Sequence, residues 1–167
     1  MSYITTILSK QHNKLDFTCG HETLDSYLQQ RAGQDMKRKL AACFVLANEA
    51  QQIIAYYTLS AASVTAKVLP LAFKAKLPPG YTHIPATLLG RLAVDTAHQG
   101  KGYGAMLLLD AMKRSLYHAV NNIGSFALIV DPIDAAAEKF YAHYGFILLP
   151  DNGKMFIAMN TISQLNL

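Results

Sequence analysis

The chain has 167 residues, 51% hydrophobic and 16% charged, with 15 Lys+Arg against 11 Asp+Glu and a net charge of +4. A chain of this length can bury one full hydrophobic core, and so apolar a composition excludes both a disordered chain and a disulfide-dependent miniprotein. The longest run free of Asp, Glu, Lys and Arg, Ala50 to Ala66, is broken by Gln51, Gln52, Ser60 and Ser63, and falls short of the roughly 20 residues of a membrane span. The N-terminus has neither the basic n-region nor the small-residue cleavage site of a signal peptide. One cytoplasmic domain over residues 1–167, with no membrane segment, is therefore expected. Cys19 and Cys43 lack metal-ligand and CxxC spacing, so both are read as reduced, small hydrophobes and no metal site is expected.

The charge is unevenly spread. Residues 1–80 hold nine Lys+Arg and five Asp+Glu, whereas residues 81–167 hold six of each. A one-sided basic balance suits a polyanionic partner, and it equally suits a solvated face.

In chain order, Thr23 to Lys39 carries Leu24, Tyr27, Leu28, Arg31 and Ala32 at helical spacing, which predicts an amphipathic helix with a basic end. Ala41 to Ala47 and Ile53 to Ser60 are apolar and β-rich and predict a hairpin. Residues 63–85, with Pro70, Pro78, Pro79, Gly80 and Pro85, predict an irregular connection, functional or mobile. Ala86 to Val94 is a buried-type strand with an internal glycine, Gly90. The glycine-rich Gln99-Gly100-Lys101-Gly102-Tyr103-Gly104 then opens a long helix. There Met106, Leu107, Leu109, Met112 and Leu116 are expected on the core face, with Lys113 and Arg114 towards solvent. Phe126 to Val130 predicts a strand, Ala135 to Tyr144 a helix ended by Gly145, and Phe146 to Leu149 and Met155 to Met159 two more strands. The sum is a mixed α/β domain.

Strand, glycine-rich turn, then helix is a physical recipe for binding phosphate. Glycines let the backbone approach a ligand, and the free amides at a helix N-terminus, with the positive end of its dipole, attract an anion. The turn is neither a Walker loop nor a dinucleotide GxGxxG. Taken by itself, a glycine turn before a helix is more often simple helix capping than a phosphate site.

The segment RLAVDTAHQGKGYGAMLLLDAM resembles the acetyl-CoA motif Gln/Arg-x-x-Gly-x-Gly/Ala of the GNAT family of N-acetyltransferases, with Gln99, Gly102 and Gly104 in its positions. GSFALIV followed by DAAAEKFYAHYGF resembles that family's second signature, with Phe140, Tyr141, Gly145 and Phe146 in place. The resemblance implies an α/β (α+β) GNAT fold: a mixed, mostly antiparallel sheet with a splayed central strand and helices on both faces. It also implies acetyl-CoA as cosubstrate. Leu92, Ala93 and Val94 would pair with the pantetheine arm. The amides of Gln99, Gly100, Lys101, Gly102, Tyr103, Gly104 and Ala105 would hold the diphosphate. Tyr141 would act as the acid for the departing thiolate, and a backbone N–H near Val94 would polarise the carbonyl.

Many members of the family carry a Glu base on or before the central strand, whereas Ala86 to Val94 has no carboxylate. An α-amine, with a pKa of about 7.7–8.0, needs less help losing a proton than a lysine near 10.4, so an α-amine acceptor is favoured. His83, His98 and His143 are read as loop or surface residues that could relay a proton.

The N-terminal half, notably FTCGHETLDSYL, IAYYTLS and LGRLAVD, resembles the toxins of GNAT/ribbon-helix-helix toxin-antitoxin pairs, which acetylate the amino acid on charged tRNA. On that resemblance the partners are charged tRNA, a ribbon-helix-helix antitoxin and a second copy in a homodimer. Arg31, Lys37, Arg38, Lys39, Lys67, Lys74 and Lys76 would then track tRNA phosphates. The alternative acceptors are a small-molecule amine and a protein N-terminus.

Overall fold

The chain alternates strands and helices around a seven-stranded sheet in the order β1-β2-β3-β4-β5-β7-β6. The structure is a computed structural model and describes residues 2–150 and 152–167. The strands are β1 (Thr6–Ile7), β2 (Ala42–Ala47), β3 (Ile53–Thr65), β4 (His83–Val94), β5 (Ala127–Val130), β6 (Ile147–Leu148) and β7 (Met155–Ala158). The helices are α1 (Glu22–Ser26), α2 (Ala32–Lys37), α3 (Leu71–Lys74), α4 (Tyr103–Asn121), α5 (Ala135–His143) and α6 (Met159–Ser163). β1 pairs antiparallel with β2 and β2 with β3, and β7 pairs antiparallel with both β5 and β6. Neighbours β4 and β5 are joined through α4, the crossover that parallel strands need, so the sheet is mixed.

Two compact units share these elements. The first takes the chain up to Ser60 together with Leu89–Arg114, and the second takes Ala61–Leu88 with Ser115–Leu167. In the first, Phe17, Tyr27, Leu28, Ala32, Cys43, Val45, Tyr56 and Ala93 form the core. Each fully buried large apolar side chain contributes about 1.5–3 kcal/mol relative to exposure. In the second, Val64, Leu69, Ile84, Ile129, Leu149 and Phe156 form the core, with Phe73 edge-on to Phe156 at 5.0 Å between ring centroids.

Three expectations change. The helix predicted over Thr23–Lys39 exists but carries a π-helical segment, Tyr27–Arg31, between α1 and α2. The predicted irregular connection is narrower, because β3 continues to Thr65, β4 begins at His83, and Phe73 of α3 anchors the stretch between them in the core.

The third concerns α4. Leu107, Leu108, Ala111 and Met112 are its buried stripe, while Met106 and Leu109 are exposed, since only the former set keeps the i, i+4, i+5 spacing of one helical face. Arg114 does not face solvent. Its guanidinium lies 3.9 Å and 4.0 Å from the ring centroids of Tyr3 and Phe44, and its Nε donates to Tyr57 Oη at 2.9 Å. Tyr57 Oη and Thr5 Oγ1 in turn donate to Asp110, which is 5% exposed and also accepts from the Ile4 amide. Burial of a carboxylate is tolerable only with such partners.

Candidate active site

β4 ends at Val94, and the chain is held there on both sides. The Asp95 amide donates to the Ile54 carbonyl and the Thr96 amide to the Thr18 carbonyl, both at 2.8 Å. The Asp95 carboxylate accepts from the Thr18 and Ala97 amides, each at 3.1 Å. Asp95 is thus committed to the turn rather than offered to a substrate.

The glycine-rich turn follows. Gln99 is exposed, yet its side-chain amide is engaged within the fold: its Nε2 donates to the carbonyls of Val94 at 2.8 Å and Cys19 at 2.9 Å. One side-chain amide therefore clamps the end of the strand, the loop before α1 and the turn together. Gly100 and Gly102 have φ of +76° and +85°, in the left-handed region that other residues enter at a cost of about 1–2 kcal/mol. A Cβ at either would meet nothing within 4 Å, so the glycines are needed for backbone conformation, and the space above them is open.

The Met106 amide donates to the Gly102 carbonyl at 3.1 Å. The amides of the first turn of α4 precede that bond and are the orphan donors of a helix N-terminus. No carboxylate lies between Asp95 and Asp110 in sequence, and Lys101 is exposed. These residues fit a diphosphate. Tyr103 is half-buried, edge-on to His98 at 6.1 Å between ring centroids, and Gly104 and Ala105 complete the first turn. Leu92, Ala93, Val94 and the turn Gln99–Ala105 all belong to the first unit.

Tyr141 lies on α5 in the second unit, where Asp134 caps the N-terminus by accepting from the Ala137 amide at 2.8 Å. The other end of α5 explains the second motif. The Gly145 amide donates to the Ala142 carbonyl and the Phe146 amide to the Tyr141 carbonyl, both at 3.1 Å, with Gly145 at φ +96°. This is a Schellman cap, and the contact that accompanies it is the edge-to-face pair Tyr141–Phe146, centroids 5.3 Å apart. Phe140 packs on the same tyrosine at 5.3 Å. Tyr141 is 8% exposed, and burial pushes its phenol from 10.0 up to about 12.

The predicted cations fall into two groups. Arg31, Lys37, Arg38 and Lys39 are exposed at the basic end of the π segment and α2, in the first unit. Lys67, Lys74 and Lys76 are in the second, with Lys74 half-buried on α3. His83 and His143 are exposed; His98 sits 3.5 Å from Asp95. Sequence reasoning missed Arg91. Its guanidinium lies 3.4 Å from the ring centroid of Tyr27, one residue before the strand segment Leu92–Val94. A basic residue inside an otherwise buried-type strand was the available signal.

A strand end leading into an amide-lined turn at a helix N-terminus is the layout of a protein that holds an extended, phosphate-bearing cosubstrate. The acetyltransferase (GNAT) domain model matches residues 39–148, and the chain belongs to the GNAT acetyltransferase family. It is 32% identical over 143 residues to the tRNA-acetylating toxin of Mycobacterium tuberculosis, covering 86% of this chain and 83% of that protein. It is similar to AtaT complexed with acetyl-methionyl-tRNAfMet, with a TM-score of 0.90, 28% identity, and coverage of 99% of this chain and 100% of that one. It is also similar to a Tyr-to-Phe mutant of AtaT bound to the C-terminus of the antitoxin AtaR and acetyl-CoA. There the TM-score is 0.80 and the identity 26%, covering 97% of this chain and 96% of that one. Among the described residues no helix is long and apolar enough to cross a membrane, and no group of three or more His, Cys, Asp or Glu is placed to hold a metal.

Proposed function

We propose that the chain is an acetyl-CoA-dependent N-acetyltransferase that acetylates the α-amino group of aminoacyl-tRNA and so blocks its use in translation. One observation carries the reading. A turn fit for a diphosphate and the exposed cations Arg31, Lys37, Arg38 and Lys39 occupy one unit of a chain 32% identical to a tRNA-acetylating toxin.

When bound, acetyl-CoA supplies an activated acetyl thioester. The backbone of Leu92, Ala93 and Val94 pairs with its pantetheine arm as an added strand, and the amides of Gln99–Ala105 hold its diphosphate with Lys101 alongside. An N–H at Val94 donates to the carbonyl oxygen as charge builds there. A C–N bond forms, the C–S bond breaks, the nitrogen loses a proton and the sulfur gains one.

Tyr141 donates to the departing sulfur and recovers its proton from the nitrogen. At about 12 its phenol stays protonated across the physiological range. A thiol titrates near 8.5, so the buried phenolate does not accumulate, and the donation is a hydrogen bond through which the proton passes. The α-amine is substantially neutral near its pKa of about 7.7–8.0 and needs no carboxylate base.

The reading takes residues 1–167 as one cytoplasmic domain. It takes the working form as a homodimer and the natural inhibitor as a ribbon-helix-helix antitoxin. Expression of the wild type is expected to arrest growth, and Tyr141→Phe to restore it. Unimpaired growth on wild-type expression, with acetyl-CoA turned over on small amines, would favour a small-molecule or protein N-terminal acceptor instead.

A further inference from the structure

Arg91 stands out among the cations of the first unit. It is half-buried on β4, its guanidinium stacks on the Tyr27 ring at 3.4 Å, and among the described residues its side chain makes no hydrogen bond or ion pair. A guanidinium carries five donors in a planar fork, and with none of its nitrogens buried the fork held over the ring stays open to an incoming acceptor. The charge reaches the surrounding core: it opposes the burial-driven rise of Tyr27, Cys43 and Tyr56.

The ring beneath it is held in place. Tyr27 is 4% exposed, and its hydroxyl donates to Asp35 Oδ2 at 2.8 Å. Tyr27 also opens the π-helical segment Tyr27–Arg31, which Gln29 ties back to the preceding loop by donating to the Leu15 and Phe17 carbonyls. Single π turns inside α-helices are frequently found at functional sites. Here the turn brings Tyr27 under Arg91 and ends at the exposed cation Arg31, with Lys37 at the end of α2 and Arg38 and Lys39 in the turn that follows it.

We propose that Arg91, stacked on Tyr27, is a positioning residue that receives a phosphodiester of the nucleic-acid acceptor. It thereby sets where the acceptor's amine arrives beside the cosubstrate strand Leu92–Val94. The proposal rests on the aminoacyl-tRNA reading above. The chemistry favours phosphate over an isolated carboxylate, because the neighbouring exposed charges Arg31, Lys37, Arg38 and Lys39, close in sequence along α2 and the turn after it, supply several cations to a polyanion. Acetyl-CoA is the other source of phosphate, but the turn fit for its diphosphate lies at Gln99–Ala105, several residues beyond Arg91.

The test compares Arg91→Gln and Arg91→Lys with the wild type on three substrates: charged tRNA, an aminoacyl-adenosine that carries the α-amine without a phosphodiester, and acetyl-CoA. Arg91→Gln is expected to raise KM for charged tRNA about 10- to 100-fold. Saturated kcat on charged tRNA should fall with the misplaced amine, while KM for acetyl-CoA and turnover of aminoacyl-adenosine should stay unchanged. The salt dependence of log kcat/KM on tRNA should shallow by roughly 0.7 to 0.9, the signature of one lost phosphate contact. Arg91→Lys, which keeps the charge and loses the fork, is expected to fall between, and it carries the test if Arg91→Gln does not fold. Equal losses on tRNA and aminoacyl-adenosine, or a change confined to acetyl-CoA, would overturn the assignment. Wild-type acetylation of charged tRNA with both variants unaffected overturns this inference alone. A wild type active on small amines and inert on charged tRNA overturns the underlying function.

Discussion

The Phe146 amide donates to the Tyr141 carbonyl at 3.1 Å while the two rings meet edge to face, centroids 5.3 Å apart. The cap that ends α5 and the ring contact that aims the proposed acid are therefore one device. Phe146→Ala should remove the ring contact and leave the helix, lowering stability by about 3–5 kcal/mol and kcat with it. Tyr141→Phe should lower kcat by roughly 10²–10⁴ with little change in stability or in acetyl-CoA binding. Thermal unfolding, calorimetric titration of acetyl-CoA and steady-state kinetics on both variants separate the two effects, and an unchanged kcat in Tyr141→Phe would remove the residue from the mechanism.

The acid should not set the upper limb of the pH profile. Burial raises Tyr141 from 10.0 to about 12, so kcat/KM should rise through the acceptor's own pKa and stay level to about pH 10. With an α-amine acceptor the rise centres near 7.7–8.0, and with a lysine side chain it would centre near 10.4. A pH–rate profile reads the acceptor class directly.

The same sign governs alkaline stability. Burial raises Cys19 from 9.0 to about 11, Cys43 from 9.0 to about 12, and Tyr27 and Tyr141 from 10.0 to about 12. Above about pH 9 the unfolded chain loses these protons first and so binds fewer than the folded chain. The stability these groups contribute is whole below pH 9 and is lost progressively as pH rises towards 12. Denaturant unfolding at pH 8 and pH 10.5 should show the loss. Replacing Cys43 with Ala should flatten it.

In the turn, Gln99→Ala should release the clamp between Val94 and Cys19 and raise KM for acetyl-CoA more than it lowers the unfolding temperature. Gly102→Val forces a β-branched residue to φ +85° and should abolish acetyl-CoA binding, although its Cβ meets no neighbour. Full binding by that variant would sink the diphosphate assignment.

Asp110 accepts from Ile4, Thr5 and Tyr57 and lies 3.9 Å from Arg114, so Asp110→Ala leaves buried donors and a half-buried cation without their acceptor. The expected cost is about 3–5 kcal/mol, roughly 10 °C in unfolding temperature for a chain of this size.

What the sequence made legible was local. Periodicity placed most of the elements within a few residues, and the second motif's glycine and phenylalanine are capping chemistry that can be read from letters alone. What stayed hidden depends on partners far along the chain. Arg114 looks like a solvent-facing helix residue until Tyr3, Phe44 and Tyr57 are folded against it. Gln99 matches a motif letter, but its double contact with Val94 and Cys19 needs the loop before α1 in place. Met106 and Leu109 are as apolar as Leu107 and Leu108, and only the phase of the helix against the core separates them. Arg91 was visible as a basic letter in a buried strand, yet its partner Tyr27 is set by a π turn that no propensity announces.

The central claim is tested most directly by incubating the protein with labelled acetyl-CoA and a mixture of charged tRNAs, then hydrolysing the products and identifying the labelled species. Label is expected on the α-nitrogen of one or a few amino acids released from tRNA, with the signal lost in Tyr141→Phe. Acetyl transfer to free amines or protein N-termini, with no label recovered on tRNA-borne amino acids, would contradict it.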